Sequence, residues 1–118
     1  MRRAVLLLTC LAALAAASVA LAATKTLKAT ESDGLGYSKS VIKVKHGKVT
    51  IKMANPGSNH LEHSIDIKGN GVSAHSAVVQ PGKTASVTAT LKKGKTYTFY
   101  CGVSGHEQDG MKGKIKVH

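Results

Sequence analysis

Residues 97–111, YTFYCGVSGHEQDGM, carry three metal-binding side chains on one short loop. The segment begins with alternating aromatic residues, passes through glycines and leads into a second alternating run. Cys101, His106 and Met111 are evenly spaced along it. A thiolate and a thioether stabilise Cu(I), imidazole accepts either oxidation state, and two histidines, one cysteine and a weak axial methionine suit electron-transfer copper. The loop therefore predicts a copper site whose second histidine comes from elsewhere in the chain.

The start of the chain has the features of a secretory signal peptide. Two arginines precede an apolar, alanine-rich run over residues 4–23, and Ala20 and Ala22 satisfy the small-x-small rule for cleavage. We predict a signal peptide over residues 1–22, with cleavage after Ala23 as the second choice, and a periplasmic or extracellular location. The alternative is an uncleaved anchor, because a run of this length can just span a bilayer.

Residues 23–118 are a normal length for one domain and contain a single cysteine, Cys101. In an exported protein an unpaired thiol calls for an explanation. Metal ligation provides one, and a buried, inert cysteine is the alternative.

The predicted mature chain is strongly basic. Both arginines lie in the leader, so residues 23–118 carry 15 lysines against six acidic residues, a formal net charge of +9. This charge predicts salt-sensitive association with anionic partners. Nucleic acid is not expected, because base reading favours arginine and the few aromatic residues lie in a patterned strand.

Alternation of apolar and polar residues predicts an all-β fold. No long apolar repeat of helical period follows Thr24, whereas period-two runs bounded by turn residues recur. The alternating runs lie at residues 24–31, 42–44, 49–53, 63–67, 85–91, 97–101 and 111–117. Residues 72–80 have a loop-like pattern. Seven or eight short strands of this kind indicate an antiparallel β-sandwich.

His63 is the preferred candidate for the missing ligand. It is predicted to begin a strand directly after a polar loop, where a rigid element can present it. The other histidines lie in turns, in polar loops or at the C-terminus, and are expected to be solvated. His60 is the strongest of these competitors, because it is three residues from His63.

Residues 97–113, as YxFYCGVxGHxxxGMxG, resemble the cupredoxin family, specifically the plastocyanin/azurin group of small type 1 (blue) copper proteins. The resemblance extends over essentially the whole predicted mature chain. It implies a Greek-key sandwich and one type 1 copper ion as cofactor. By the same resemblance the copper ligands are His63, Cys101, His106 and Met111, with Met111 axial.

Two positions depart from the family pattern. Ser64 follows the first ligand histidine where members usually carry asparagine, whose side chain ties the two ligand loops together. Ser104 stands where many members carry proline. Groups around the ligands orient them and tune the metal, so the pattern supports ligation and leaves the redox potential open.

The predicted function is one-electron transfer between a redox donor and a redox acceptor. No nucleophile–base pair lies beside the site, so we do not expect an enzyme. The alternatives are an extracytoplasmic copper-handling protein and a metal-free docking module. A monomer without stable membrane insertion is expected if the leader is cleaved, docking to an acidic surface of its partner. Apolar docking around His106 is the other possibility.

Overall fold

Nine strands in two sheets make up the part of the chain that the computed structural model describes, residues 22–118. Apart from Ala22, the predicted signal peptide lies outside this range. No helix in the described range is long and apolar enough to cross a membrane. The strands are β1 (Ala23–Thr30), β2 (Gly36–Tyr37), β3 (Val41–Val44), β4 (Gly47–Ala54), β5 (Asp66–Gly69), β6 (Val72–Ala74), β7 (Thr84–Leu91), β8 (Thr96–Tyr100) and β9 (Lys112–Val117).

The two sheets have the strand orders β2-β1-β4-β7 and β3-β9-β8-β5-β6. The all-β sandwich is therefore confirmed. The sheets are mixed rather than wholly antiparallel, because β1 pairs with β4 and β3 pairs with β9 in parallel. Side-chain alternation is the same in both kinds of pairing and does not report strand direction. The strand number exceeds the predicted seven or eight because β2 and the three-residue β6 lie in segments with loop-like sequences.

Alternating side chains of both sheets fill the space between them. In β4, Val49, Ile51 and Met53 are buried, while in β8 Tyr97 and Phe99 are buried and their neighbours are not. Cys101, the last residue of the alternating run 97–101, continues the buried face of β8. The cysteine side chain thus points into the core at the end of a central strand.

The β8–β9 pairing determines which end of the sandwich carries the predicted ligands. Tyr100 pairs with Lys112, and Thr96 pairs with Lys116. The loop that connects the two strands therefore lies at one end of the five-stranded sheet, and the turn at residues 92–95 lies at the opposite end.

His63 lies at the ligand-bearing end but does not begin a strand as predicted. Strand β5 starts at Asp66, and His63 forms an isolated bridge with Val79. The His63 amide donates to the Val79 carbonyl at 3.1 Å, and the Val79 amide donates to the His63 carbonyl at 2.9 Å. The histidine backbone is thus fixed by a loop rather than by a sheet ladder.

A glycine in β9 lets the aromatic core approach the backbone. Gly113 pairs with Phe99. A Cβ atom at position 113 would collide with the Phe99 ring and with the Ser40 carbonyl. The close packing of β9 against the ring therefore requires glycine here.

We expect Gly113→Ala to lower the free energy of unfolding by about 1–3 kcal/mol, the usual cost of overpacking. Gly57→Ala is the matched control, because a Cβ atom there meets nothing within 4 Å. Urea unfolding of the two metal-free variants tests this. Equal midpoints would show that the Phe99 ring moves aside without cost.

Candidate metal centre

The loop between β8 and β9 is closed by backbone hydrogen bonds between its predicted ligands. The Cys101 amide donates to the Met111 carbonyl at 3.1 Å, and the Met111 amide donates to the His106 carbonyl at 3.0 Å. Each bond joins two residues that the sequence predicts to be ligands. The backbone of the loop therefore fixes their relative positions.

A tight turn inside this loop positions His106. Gly105 has φ of 83°, a left-handed conformation that glycine adopts without steric cost. The His106 amide donates to the Val103 carbonyl at 3.0 Å, and the Asp109 amide donates to the Gly105 carbonyl at 3.1 Å. The turn directs the chain back toward β9 directly after the cysteine.

Three of the predicted ligands form one cluster. Donor atoms of His63, Cys101 and His106 all lie within 4.8 Å of one another. The Cys101 Sγ atom is 3.6 Å from His106 Nδ1 and 4.0 Å from His63 Nδ1. The first two residues of the cluster are buried and His106 is partly exposed.

These separations fit a single metal ion. Nitrogen and sulfur donors bind such ions at about 2.0–2.3 Å, so two donors of one trigonal ion are separated by somewhat less than twice that length. The observed distances fall in this range without rearrangement. Two imidazoles and one thiolate are the trigonal donor set of a type 1 copper site. The prediction of copper as cofactor therefore agrees with the donor set.

The fourth predicted ligand, Met111, is fully buried. Its amide and carbonyl are bonded to His106 and Cys101, as described above. The methionine is consequently held at the same end of the core as the cluster. With Met111 included, the chain carries two histidines, one cysteine and one methionine, the four residues of a type 1 site.

The remaining described histidines do not join the cluster. The His75 ring bonds to Asp66 and Ser73. The backbone of His46 bonds to the backbone of His118, at the far end of the sandwich. His60 contributes only its backbone amide, which donates to Glu31. Of the two histidines in the loop before β5, the structure brings His63 and not His60 to the cysteine.

Ser64 ties the two ligand loops together despite its short side chain. The Gly102 amide donates to Ser64 Oγ at 2.8 Å. The Ser64 amide points at Cys101 Sγ from 3.4 Å. Ser64, the residue after His63, thus contacts Gly102, the residue after Cys101. Hydrogen bonds to a ligand sulfur are one of the means by which a protein tunes a copper site.

Glu31 is a part of the site that sequence reasoning missed. Its Oε2 atom lies 2.7 Å from His63 Nε2, the ring nitrogen opposite to the one that faces Cys101. Burial raises the pKa of the Glu31 carboxyl, but hydrogen bonds from the His60 amide, the His63 ring and the Leu61 amide outweigh it and leave the pKa lowered. No spacing rule relates position 31 to position 63, so the sequence contained no signal for this contact.

Asn55 was also missed, and it shapes the loop that carries His63. Its buried Nδ2 group donates to the carbonyls of Leu61 and Val79, at 3.0 and 3.1 Å. The Asn55 Oδ1 atom accepts a hydrogen bond from Asn59 at 2.9 Å. In the sequence this asparagine begins an Asn-Pro-Gly run, which is a turn signal and does not indicate contacts with a distant loop.

The electrostatic surroundings of His106 favour metal binding. Burial and the neighbouring His63 ring lower the pKa of His106, although Asp109, Glu31 and Glu62 oppose the shift. A lowered pKa favours the neutral imidazole, which is the form that binds a metal. The surroundings of His106 therefore favour the form of its imidazole that can bind a metal.

Comparison with known sequences gives one family and two partial relatives. The family model of the cupredoxin-like domain matches residues 4–117. The multicopper oxidase Mco of Staphylococcus epidermidis is 41% identical over 39 residues, which are 33% of this chain and 9% of that protein. The copper-resistant cuproprotein CopI of Pseudomonas aeruginosa is 42% identical over 43 residues, 36% of this chain and 24% of that protein. The chain thus spans less than a quarter of the length of these curated relatives.

Several solved structures share the fold. Auracyanin B has a TM-score of 0.68 at 17% identity, covering 84% of this chain and 90% of that one. Auracyanin A, a blue copper protein from Chloroflexus aurantiacus, has a TM-score of 0.66 at 22% identity, covering 83% and 100%. The copper nitrite reductase of Nitrosomonas europaea has a TM-score of 0.65 at 21% identity, covering 82% and 41%. The family model matches residues 4–117, which are almost the whole of this chain. The chain therefore belongs to the cupredoxin-like family.

Proposed function

We propose that this protein is an exported one-electron carrier whose single type 1 copper ion is held by His63, Cys101, His106 and Met111. The observation that carries the proposal is the buried Cys101 thiol with two imidazole nitrogens near its sulfur, at 3.6 Å and 4.0 Å. Export is supported by the leader-like sequence of residues 1–22.

When bound, copper supplies a reversible one-electron couple between Cu(II) and Cu(I). The residues of the chain have three tasks around it. Cys101 and the two imidazoles provide donors that tolerate both oxidation states. Burial of Cys101 and His63 excludes water from the site. The backbone bonds of the loop limit the movement of the ligands, which keeps reorganisation small when an electron arrives or leaves.

Two residues connect the site with the surface. His106 is the partly exposed member of the cluster, so its ring edge offers a short path outward. Tyr100 precedes Cys101 and faces away from the core, where it is partly exposed. A partner could therefore exchange electrons at the loop end or at the outer face of the five-stranded sheet.

We expect the purified mature domain to bind one equivalent of Cu(II) with an intense visible absorption band. Cys101→Ser should abolish that band even if some copper still binds, because the band requires a copper–thiolate bond and Cys101 is the free cysteine of the described chain. The measurement is an absorption titration with Cu(II), with Ser104→Ala as a control in an exposed position of the same loop. A coloured Cys101→Ser variant would contradict the ligand assignment.

His63→Ala should lower Cu(II) affinity by more than the roughly 10–100-fold typical of groups that only orient ligands. His60→Ala and His75→Ala should change it little, because neither ring lies in the cluster. Competition with a chelator of known affinity measures all three. A larger loss for His60→Ala than for His63→Ala would show that the first ligand is assigned to the wrong histidine.

A lysine-rich surface next to Tyr100 supports docking to an acidic partner. Lys112 pairs with Tyr100 and Lys114 pairs with Thr98, so both lie beside the outward face of β8. From the neighbouring strand, Lys68 places its Nζ atom 4.3 Å from the centre of the Tyr100 ring. Three ammonium groups therefore surround the exposed side of the strand that leads to the cysteine.

The same residues border a shallow groove of about 260 Å³. Lys68, Lys112 and Lys114 line it together with Thr98, Gly113 and Glu107. Glu107 binds Lys68 at 2.6 Å and neutralises part of the charge, which leaves Lys112 and Lys114 as the unneutralised pair at the groove. This surface suits carboxylates presented by a partner protein.

We expect oxidation of the Cu(I) protein by anionic hexacyanoferrate(III) to slow as ionic strength rises. The Debye length shrinks from about 30 Å at 0.01 M to about 10 Å at 0.1 M, so attraction by the lysines is screened. Stopped-flow rates over this range test it. The cationic oxidant tris(phenanthroline)cobalt(III) should show the opposite trend.

Charge-reversal variants test whether Lys112 and Lys114 cause the salt dependence of the oxidation rate. The double variant Lys112→Glu/Lys114→Glu should lose most of the salt dependence of the oxidation rate. The control is Lys92→Glu/Lys93→Glu, which changes the net charge equally but lies at the opposite end of β8, and it should retain more of that dependence. If the oxidation rate of the wild-type protein did not change with ionic strength, apolar docking around His106 would be the remaining mode.

Copper handling is the second candidate function, because the copper-resistant protein CopI shares 42% identity over 43 residues. A copper-delivery site should release its ion to a competing ligand within the time of mixing, whereas a carrier should retain copper through many redox cycles. The rate of Cu(I) transfer to an excess of a chromogenic chelator distinguishes the two.

A further inference from the structure

The Glu31 carboxylate lies within hydrogen-bonding distance of three nitrogen atoms in the loop that carries His63. Its Oε1 atom accepts from the His60 amide at 2.8 Å. Its Oε2 atom accepts from the Leu61 amide at 3.1 Å and lies 2.7 Å from His63 Nε2. Glu31 directly follows β1, so a residue from the four-stranded sheet reaches the loop that precedes β5.

The identity of these neighbours determines the tautomer of His63. Backbone amides of His60 and Leu61 can only donate, and an ionised carboxylate can only accept. The hydrogen on the neutral His63 ring must therefore lie on Nε2, where it meets Glu31. This leaves the lone pair on Nδ1, the atom that faces Cys101 Sγ at 4.0 Å.

Because it is buried, this contact is the main constraint on the tautomer of the His63 ring. The His63 side chain is 0% exposed and the Glu31 side chain is 15% exposed, so water has no access to the ring and limited access to the carboxylate. In such surroundings a charge-assisted hydrogen bond is both short and strong. Without the carboxylate, the Nε2–H group would be a buried donor without its acceptor.

We propose that Glu31 is the positioning residue for the His63 ligand, holding the Nε2–H tautomer so that Nδ1 is free for the metal. A carboxylate on the distal nitrogen orients a ligand imidazole and increases its basicity. The copper part of this inference rests on the proposed function, whereas the tautomer does not depend on any metal.

The metal-free protein provides the direct test. Long-range ¹H–¹⁵N NMR, at a pH at which the ring is neutral, distinguishes the two tautomers of His63. We expect pure Nε2–H in the wild type and a mixture of both tautomers in Glu31→Ala. Glu62→Ala is the matched control, because Glu62 adjoins His63 in sequence but bonds to Gln80; it removes the same charge and should leave the tautomer unchanged.

Copper affinity provides the second readout. Glu31→Ala should weaken Cu(II) binding by about 10–100-fold, and Glu62→Ala should weaken it less. Glu31→Gln offers one acceptor oxygen to three donors, so we expect it to lose part of the affinity and part of the tautomer preference. If Glu31→Ala does not fold, the Glu31→Gln variant decides the question with the same two measurements.

Retention of pure Nε2–H in Glu31→Ala, or equal losses of affinity in Glu31→Ala and Glu62→Ala, would overturn the proposal. If the wild-type protein failed to bind copper with a visible band, the proposed function would fail while the tautomer measurement still decided the role of Glu31.

Discussion

The backbone hydrogen bond from Cys101 to Met111 is the constraint on which the candidate metal centre depends. It extends the β8–β9 pairing beyond Tyr100 and Lys112, so the loop leaves and re-enters a sheet at fixed points. The second bond, from Met111 to the His106 carbonyl, fixes the middle of the loop against its end. The ligands are thereby held by the fold itself. A metal that enters such a site needs little rearrangement of the protein, which is the condition for rapid electron exchange.

The loop that carries His63 is held by a different kind of contact. His63 lies outside the sheet ladders, and side chains hold its loop. Asn55 donates to the Leu61 carbonyl, Glu31 contacts the distal ring nitrogen of His63, and Ser64 accepts from the Gly102 amide. Side-chain contacts of this kind leave little trace in the periodicity of the sequence. The loop with Cys101 is thus specified locally by glycines and strand pairing, whereas the loop with His63 is specified by residues distant in the chain.

This difference explains which features the sequence predicted. Alternation identified the buried face of β8 and β4, and turn residues marked the ends of most strands. Parallel pairing of β1 with β4 was missed because the side-chain pattern is blind to strand direction. The structure brings the ring of His63, and not that of His60, to Cys101, and the choice of His63 as a ligand stays a prediction. The contact of Glu31 was unpredictable, because only the folded sheets bring the end of β1 beside that ring.

The distribution of charge around the site bears on the two proposed modes of docking. The net charge of the predicted mature chain is +9, yet carboxylates act on the exposed ligand: Asp109, Glu31 and Glu62 each oppose the lowering of the His106 pKa. These three carboxylates place negative charge near the exposed edge of His106. Lys112 and Lys114, in contrast, lie beside the outward face of β8. If the partner is acidic, as we propose, its attraction to Lys112 and Lys114 would favour an approach over Tyr100 rather than over the His106 edge.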